Sequence, residues 1–323
     1  MILLLIGTSY AGWAFFTHGV RDLDKQRQLL AARMNVEPWE RLNHDRLLEQ
    51  LAFLCDTSFH GRKTGSPDAE RAANWIALQM DRAGLTMING DWMQNFTFSF
   101  QGETLSGRNV IGEVKGSQHP DQYIVMSAHY DHLGFHQGEL YPGADDNASG
   151  VIAMLEVARY LAQHPLEYSV LFVALDAEEI GLKGANFLVQ SELITERTIL
   201  LNLNLDMLGR NHQNEIFLCG SAHYPVFRQQ LAEVVQRSPL KVLFGHDRDW
   251  PSIIWLDDWS RSSDHAAFFD ANIPFLYLGV EDHEDYHRPT DTFERSQPEF
   301  FVQAAELSLQ IVQAISQKSS SEP

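Results

Sequence analysis

Cysteine is nearly absent from this chain: Cys55 and Cys219 are the two thiols in 323 residues. That excludes a small disulfide-stapled scaffold, and their separation lacks the paired spacing of a cysteine zinc site. Both fall in apolar stretches that read as a helix and a strand, so they are taken as core residues, with a disulfide left open for an exported protein. Positive charge is scarce too. With 24 Lys and Arg against 43 Asp and Glu, the formal charge of −19 argues against a nucleic-acid partner and favours cations near acidic loops. Solubility alone accounts for most of those charges. Long hydrophobic runs are missing as well. The apolar start MILLLIGTSYAGWAFF falls short of the about 20 residues a spanning helix needs, and no Lys or Arg precedes Arg21. Residues 1–17 are read as an N-terminal anchor or signal-like segment, which would place the remainder outside the cytoplasm, periplasmic or extracellular; a cytoplasmic protein is the alternative. Residues 18–40 read as a polar linker, 41–316 as one folded domain and 317–323 as a disordered tail. There is no internal repeat and no low-complexity block.

What is present is a regular alternation. A hydrophobic content of 44% over this length is enough for one large core. LNHDRLLEQLAFLCD places leucines at helical spacing, and AERAANWIALQMDRAG reads as a helix opened by Ser66 and Pro67 and closed by Gly84. Short β-rich runs then alternate with helical patterns: QYIVMSAH (strand), SGVIAMLEVARYLA (helix), YSVLFVALDA (strand), LKGANFLVQS (helix), TILLNLNLDM and EIFLCG (strands). AHYPVFRQQLAEVVQRS follows as one helix, IPFLYLG as a strand and PEFFVQAAELSLQIVQAISQ as the last helix. This predicts an α/β fold with a mixed, mostly parallel central sheet flanked by helices.

Five short segments carry the chemistry: SAHYDH, GADDNASG, DAEEIG, LNLDMLG and DYHRPTDT. Each lies at a predicted strand end or in the loop after it, where an α/β sheet gathers its active site. His129 follows an apolar strand and precedes Asp131 and His132; a neutral imidazole with a carboxylate on its other nitrogen suits a metal. In GADDNASG, Asp145 and Asp146 precede a helix that Asn147 or Ser149 can cap, which frees at least one acid to bridge a pair of ions. Glu178 and Glu179 are adjacent and point in different directions, so one can bind metal while the other faces water. Asp206 interrupts LLNLNLDML, where a buried carboxylate demands compensation from a metal, from Arg210 or from a hydrogen-bond cluster. His287 lies in an acidic stretch with His283 close by. In RSSDHAAFF, Ser263 or Asp264 is expected to cap the following helix.

Taken in order, HYD, GADDNASG, EE-x-GL-x-G, LDM and YH-x-x-x-D resemble the M28 family of zinc metalloaminopeptidases over nearly all of residues 45–315. The resemblance implies a co-catalytic pair of divalent ions, most readily Zn²⁺. It makes His129 and Asp206 ligands of one ion, Glu179 and His287 ligands of the other, and Asp145 the bridging carboxylate. It makes Glu178 the general base, Asp131 the acid that orients His129, and Tyr286 a group that steadies the oxyanion. The implied reaction removes residues from peptides with a free N-terminus. Glutaminyl cyclases, related in fold, are one alternative, with Trp250, Trp255 and Trp259 as candidate walls of a ring-sized pocket. A carboxypeptidase-like member of the fold is another, disfavoured by the acidic surroundings of His287, and a ligand platform without turnover is a third. No protease-associated domain is expected before the His129 strand.

Overall fold

The structure is a computed structural model that describes residues 38–136, 138–247 and 258–318. The apolar start, most of the linker, Trp250, Trp255 and the tail after residue 318 lie outside the described residues.

Helix α1 (His44–Leu54) buries Leu47, Leu51 and Leu54, and α2 (Pro67–Ala83) begins and ends where the sequence places it. Ser66 Oγ accepts from Ala69 N at 3.1 Å, and Gly84 takes the left-handed conformation (φ 89°) that closes the helix. Three strands follow: β1 (Thr86–Met87), β2 (Met93–Phe100) and β3 (Glu103–Val114). Then come β4 (His119–His129), a small hairpin of β5 (Gly134–His136) and β6 (Glu139–Tyr141), α3 (Gly150–Gln163) and β7 (Tyr168–Leu175). The chain continues through α4 (Lys183–Gln190), α5 (Glu192–Thr195), β8 (Thr198–Asp206) and β9 (Glu215–Cys219). It goes on through α6 (Pro225–Gln230), α7 (Ala232–Arg237) and β10 (Lys241–Phe244), then α8 (His265–Asp270), β11 (Phe275–Gly279) and α9 (Pro298–Lys318).

The main sheet runs β1-β3-β7-β4-β8-β11-β9-β10, with β2 paired to β3. Its centre, β7-β4-β8-β11, is parallel; β3 joins β7 and β9 joins β11 in antiparallel fashion, so the sheet is mixed and its parallel run is central. Alternate residues serve opposite faces. Ile124, Met126, Val170, Phe172, Leu203 and Leu205 share one core with α1, α2, α3 and α9, whereas Val125, Leu171 and Val173 face α4, α5 and α8. Both faces of β7 are therefore apolar, which explains its uninterrupted hydrophobic run.

Two local expectations are corrected. The single helix expected over AHYPVFRQQLAEVVQRS is two short ones, broken at Leu231 (φ −92°, ψ 0°), and Pro225 occupies the first turn, where a missing N–H costs nothing. Neither Ser263 nor Asp264 caps α8 with its side chain. Ser263 Oγ instead accepts from Asn204 Nδ2 at 3.0 Å, which draws it into the sheet's polar face. Cys55 and Cys219 are both buried and free, in keeping with core roles.

Candidate metal centre

β4 is the strand at which the chain reverses direction across the sheet: β7, which follows it, lies on one side and β8 on the other. A crevice opens outside the strand ends at such a point. The four parallel strands deliver His129 (end of β4), Glu178 and Glu179 (after β7), Asp206 (end of β8) and His287 (in the loop after β11).

On β8 Leu201, Leu203 and Leu205 face the apolar core, and Asn202, Asn204 and Asp206 share the other face. A ladder holds that face together. Asn202 Nδ2 donates to Ser127 Oγ at 2.8 Å and Ser127 Oγ donates to Asn204 Oδ1 at 2.7 Å. The ladder stops short of Asp206, whose Oδ1 is buried without a hydrogen-bond partner. Arg210, the cation considered for it, is engaged by Asp285 and Glu284 instead.

Asp206 Oδ1 lies 3.4 Å from His129 Nε2, and Asp146 Oδ1 lies 3.4 Å from the same nitrogen. Asp146 Oδ2 is 3.0 Å from His287 Nε2, which in turn is 3.4 Å from Glu179 Oε2. Two ligands each about 2.0–2.1 Å from a tetrahedral ion sit roughly 3.3 Å apart. These separations match that edge, and the orphaned oxygens of Asp206 and Glu179 are what an ion would satisfy. The residues present therefore fit a pair of divalent ions that share the Asp146 carboxylate.

This corrects the assignment of Asp145. Its Oδ1 accepts from Gly209 N at 2.5 Å and its Oδ2 faces His283 Nε2 at 2.8 Å, so the carboxylate points away from the cluster. Asn147 does the capping: its Oδ1 accepts from Gly150 N at 3.0 Å. Asp131 also acts differently from expectation. Its carboxylate stands 3.9 Å from His129 Nδ1, and its main-chain carbonyl is closer at 3.2 Å. The carboxylate accepts from Glu178 N at 3.1 Å and Thr64 Oγ1 at 2.9 Å, which fixes the turn that carries both glutamates. Tyr286 stacks on His287, ring centroids 3.9 Å apart. Trp259 stacks on His246 at 3.7 Å.

Electrostatics follow from crowding acids in a dry crevice. Burial, with the charges of Asp264, Asp206 and Glu179 beside it, raises Glu178 well above the ordinary carboxylate range despite nearby His129. Burial likewise raises Glu179, whereas at Asp206 His129 outweighs burial and holds the carboxyl low. Backbone strain concentrates at the same place. Ala177 (φ 62°), Met207 (φ 59°) and His287 itself (φ 51°) occupy the left-handed region beside or at candidate ligands.

Four contributors had no settled role in the sequence. Asp291 accepts from Asp145 N at 2.9 Å and Asp146 N at 3.0 Å, and so sets the acid-bearing turn; its position four residues after His287 was a signal. Arg62, fully buried, donates to the carbonyls of Tyr130 (2.7 Å), Leu54 (3.0 Å), Pro142 (2.7 Å) and Gly143 (2.8 Å). It thereby ties the exit of β4 to the loop before Asp146. His132 and Asp146 complete the set, together in one cluster with Glu179.

A model of peptidase family M28 matches residues 109–312, more than half of the chain, and the chain belongs to that family. Aminopeptidase YwaD of Bacillus subtilis is 33% identical over 218 residues, 62% of this chain and 43% of its own length. A probable zinc metalloprotease of Pyrenophora tritici-repentis is 31% identical over 208 residues, 55% of this chain and 46% of its own. The chain thus spans under half the length of these curated relatives. Among solved structures, BSAP, a zinc aminopeptidase from Bacillus subtilis, superposes with a TM-score of 0.70 at 18% identity, covering 86% of this chain and 96% of that one, which shows the shared fold.

Proposed function

We propose that this protein is a two-metal aminopeptidase that hydrolyses the first peptide bond of substrates with a free N-terminus, with zinc as its metal. The observation that carries the reading is the Asp146 carboxylate, one oxygen facing His129 and the other His287, with Asp206 and Glu179 completing the two ends. When bound, the ions supply Lewis-acid polarisation of the scissile carbonyl and a water acidified towards neutrality. His129 and Asp206 would hold one ion, Glu179 and His287 the other, and Asp146 both.

The chain's own groups do the rest. Glu178, whose main-chain N–H is pinned by Asp131, takes the proton of the attacking water and passes it to the leaving amine. Tyr286, half-buried and stacked on His287, would donate to the developing oxyanion. A protonated α-amine would meet carboxylates at the crevice, Asp282 lying near His287 and Asp206, which favours chain ends over internal bonds.

The test is a panel of free and N-acetylated peptides, one of them led by Gln, incubated with the full chain with and without a chelator and read by mass spectrometry. Chelator-sensitive loss of single N-terminal residues from free peptides alone is expected. Ammonia loss from the Gln-led peptide without shortening would replace this reading with a cyclase. We extend the proposal to location: the apolar residues 1–17 suit export or membrane anchoring, and an entirely cytosolic tagged pool would overturn that part. No described helix is long and apolar enough to cross a membrane.

A further inference from the structure

Beside the expected ligands stands an imidazole to which the family resemblance gives no role. His132 follows Asp131 in the loop after β4 and is 1% exposed, whereas the His287 side chain is 39% exposed. Its Nδ1 lies 2.7 Å from Glu179 Oε1 and 3.6 Å from Asp146 Oδ2. At 2.7 Å a hydrogen bond would be ordinary, yet the contact lacks hydrogen-bond geometry: Nδ1, Nε2 and Glu179 Oε1 are all buried without a partner. One ion would satisfy both partnerless atoms, with a small outward shift of the ring opening their separation towards the roughly 3.3 Å of two ligands on one ion. Glu179 divides its oxygens accordingly, Oε2 towards His287 at 3.4 Å and Oε1 towards His132.

The ring is also held in place. A Cβ on Gly143 would come within 2.6 Å of two His132 ring carbons, so only glycine leaves room for the imidazole there. Gly143 is in turn fixed by Arg62, which donates to its carbonyl at 2.8 Å.

We propose that His132 Nδ1 is a ligand of the second metal, so that this ion is held by two imidazoles, His132 and His287, together with Glu179 and the shared Asp146. The inference rests on the two-metal reading and goes beyond it. A second buried imidazole makes that site richer in nitrogen than its partner, where His129 is the one imidazole among two carboxylates. Nitrogen donors favour zinc over magnesium, calcium or manganese, so discrimination among metals should concentrate at this site.

The direct test uses the full chain labelled with nitrogen isotope in its histidines and loaded with a spin-half cadmium isotope. Nitrogen–cadmium scalar coupling in the magnetic resonance spectrum identifies each bound imidazole. Coupling to three rings is expected, one vanishing in His132→Gln and another in His287→Gln. In parallel, chelator competition should show the weaker-held ion of His132→Gln losing more than about 100-fold in affinity, beyond the 10–100-fold typical of an outer partner. The wild-type spectrum alone decides should His132→Gln fail to fold. Coupling to His129 and His287 only would overturn the role of His132 and leave the two-metal reading intact. Failure of the wild-type chain to bind two ions would overturn both.

Discussion

Asp145 Oδ2 faces His283 Nε2 at 2.8 Å, and this contact turns the first acid of GADDNASG away from the ligands that the second acid meets. The pair behaves as a brace. Gly209 N grips the other oxygen of Asp145, so the loop after β8, the loop after β11 and the acid-bearing turn are joined through one carboxylate. Asp146→Asn is expected to bind neither ion tightly, because it weakens the only carboxylate shared by both clusters. Asp145→Asn should keep both ions with affinity lowered about 10–100-fold, as for an outer partner. Metal content after dialysis, measured on both variants, checks this; equal losses would contradict the division of labour.

The second expectation concerns Glu178. It is adjacent to a ligand but has none of the ligand contacts, and its amide is tied to Asp131 at 3.1 Å. Glu178→Gln should therefore retain both ions and near-native affinity for a free-amine peptide while turnover falls by about 10²–10⁴. Near wild-type turnover in a metal-loaded sample would remove Glu178 from its role.

Much of this was legible in the chain, and for definite reasons. The alternation of NLNLD places Asp206 on the same face as Asn202 and Asn204, and that period of two is visible without coordinates. The uninterrupted run before Glu178 announces a strand buried on both faces. His129 and Asp206 end strands, the two glutamates follow one and His287 lies in the loop after β11, so strand ends pointed to the region, while the choice of ligands within it came from the resemblance to M28 peptidases. The choice between Asp145 and Asp146 was not, because adjacent residues in an irregular turn have no period to say which faces inward. Asp146 (φ −102°, ψ 96°) and Asn147 (φ −133°, ψ 45°) depart from helical geometry inside that turn. His132 and Arg62 were hidden for a different reason: their partners lie 47 and 68 to 81 residues away, at Glu179, Tyr130, Pro142 and Gly143, and only the folded sheet brings them together.

Arg62 supplies the third expectation. A guanidinium with no exposed surface would ordinarily sit against a carboxylate, yet its hydrogen bonds go to four main-chain carbonyls. The negative charges of Asp146, Asp131 and Asp291 supply the longer-range balance. Arg62→Met would take the guanidinium donor from the carbonyls of Leu54, Tyr130 and Pro142, at about 1–3 kcal/mol each, while the Gly143 carbonyl keeps Ala148 N at 3.2 Å. Denaturant unfolding should report a loss of at least about 3 kcal/mol. Lysine, a point charge without the planar fork, should recover only part of it. An Arg62→Met variant as stable as the parent would show that the loops hold themselves.

The last expectation follows from Asp285, buried between Arg210 and Arg295 and bonded to Thr290 Oγ1 at 2.6 Å. Burial alone would raise this carboxyl, but Arg295, Thr290 and Arg210 outweigh it and hold it down at about 2. A carboxyl depressed in the folded state binds its proton more readily when unfolded. Its contribution is therefore complete above the unfolded value near 3.8 and fades as pH falls from there towards about 2. The Arg210 side chain is only 4% exposed, so Asp285→Asn leaves a buried cation with Glu284 as its remaining carboxylate partner and should cost about 1–3 kcal/mol at neutral pH. The gap in stability between parent and Asp285→Asn, followed from pH 6 to about 2 on metal-free protein, should narrow steadily below about pH 4. A gap that stays constant over that range would mean that the Asp285 carboxylate is not what holds the loop of His287 to the loop after β8.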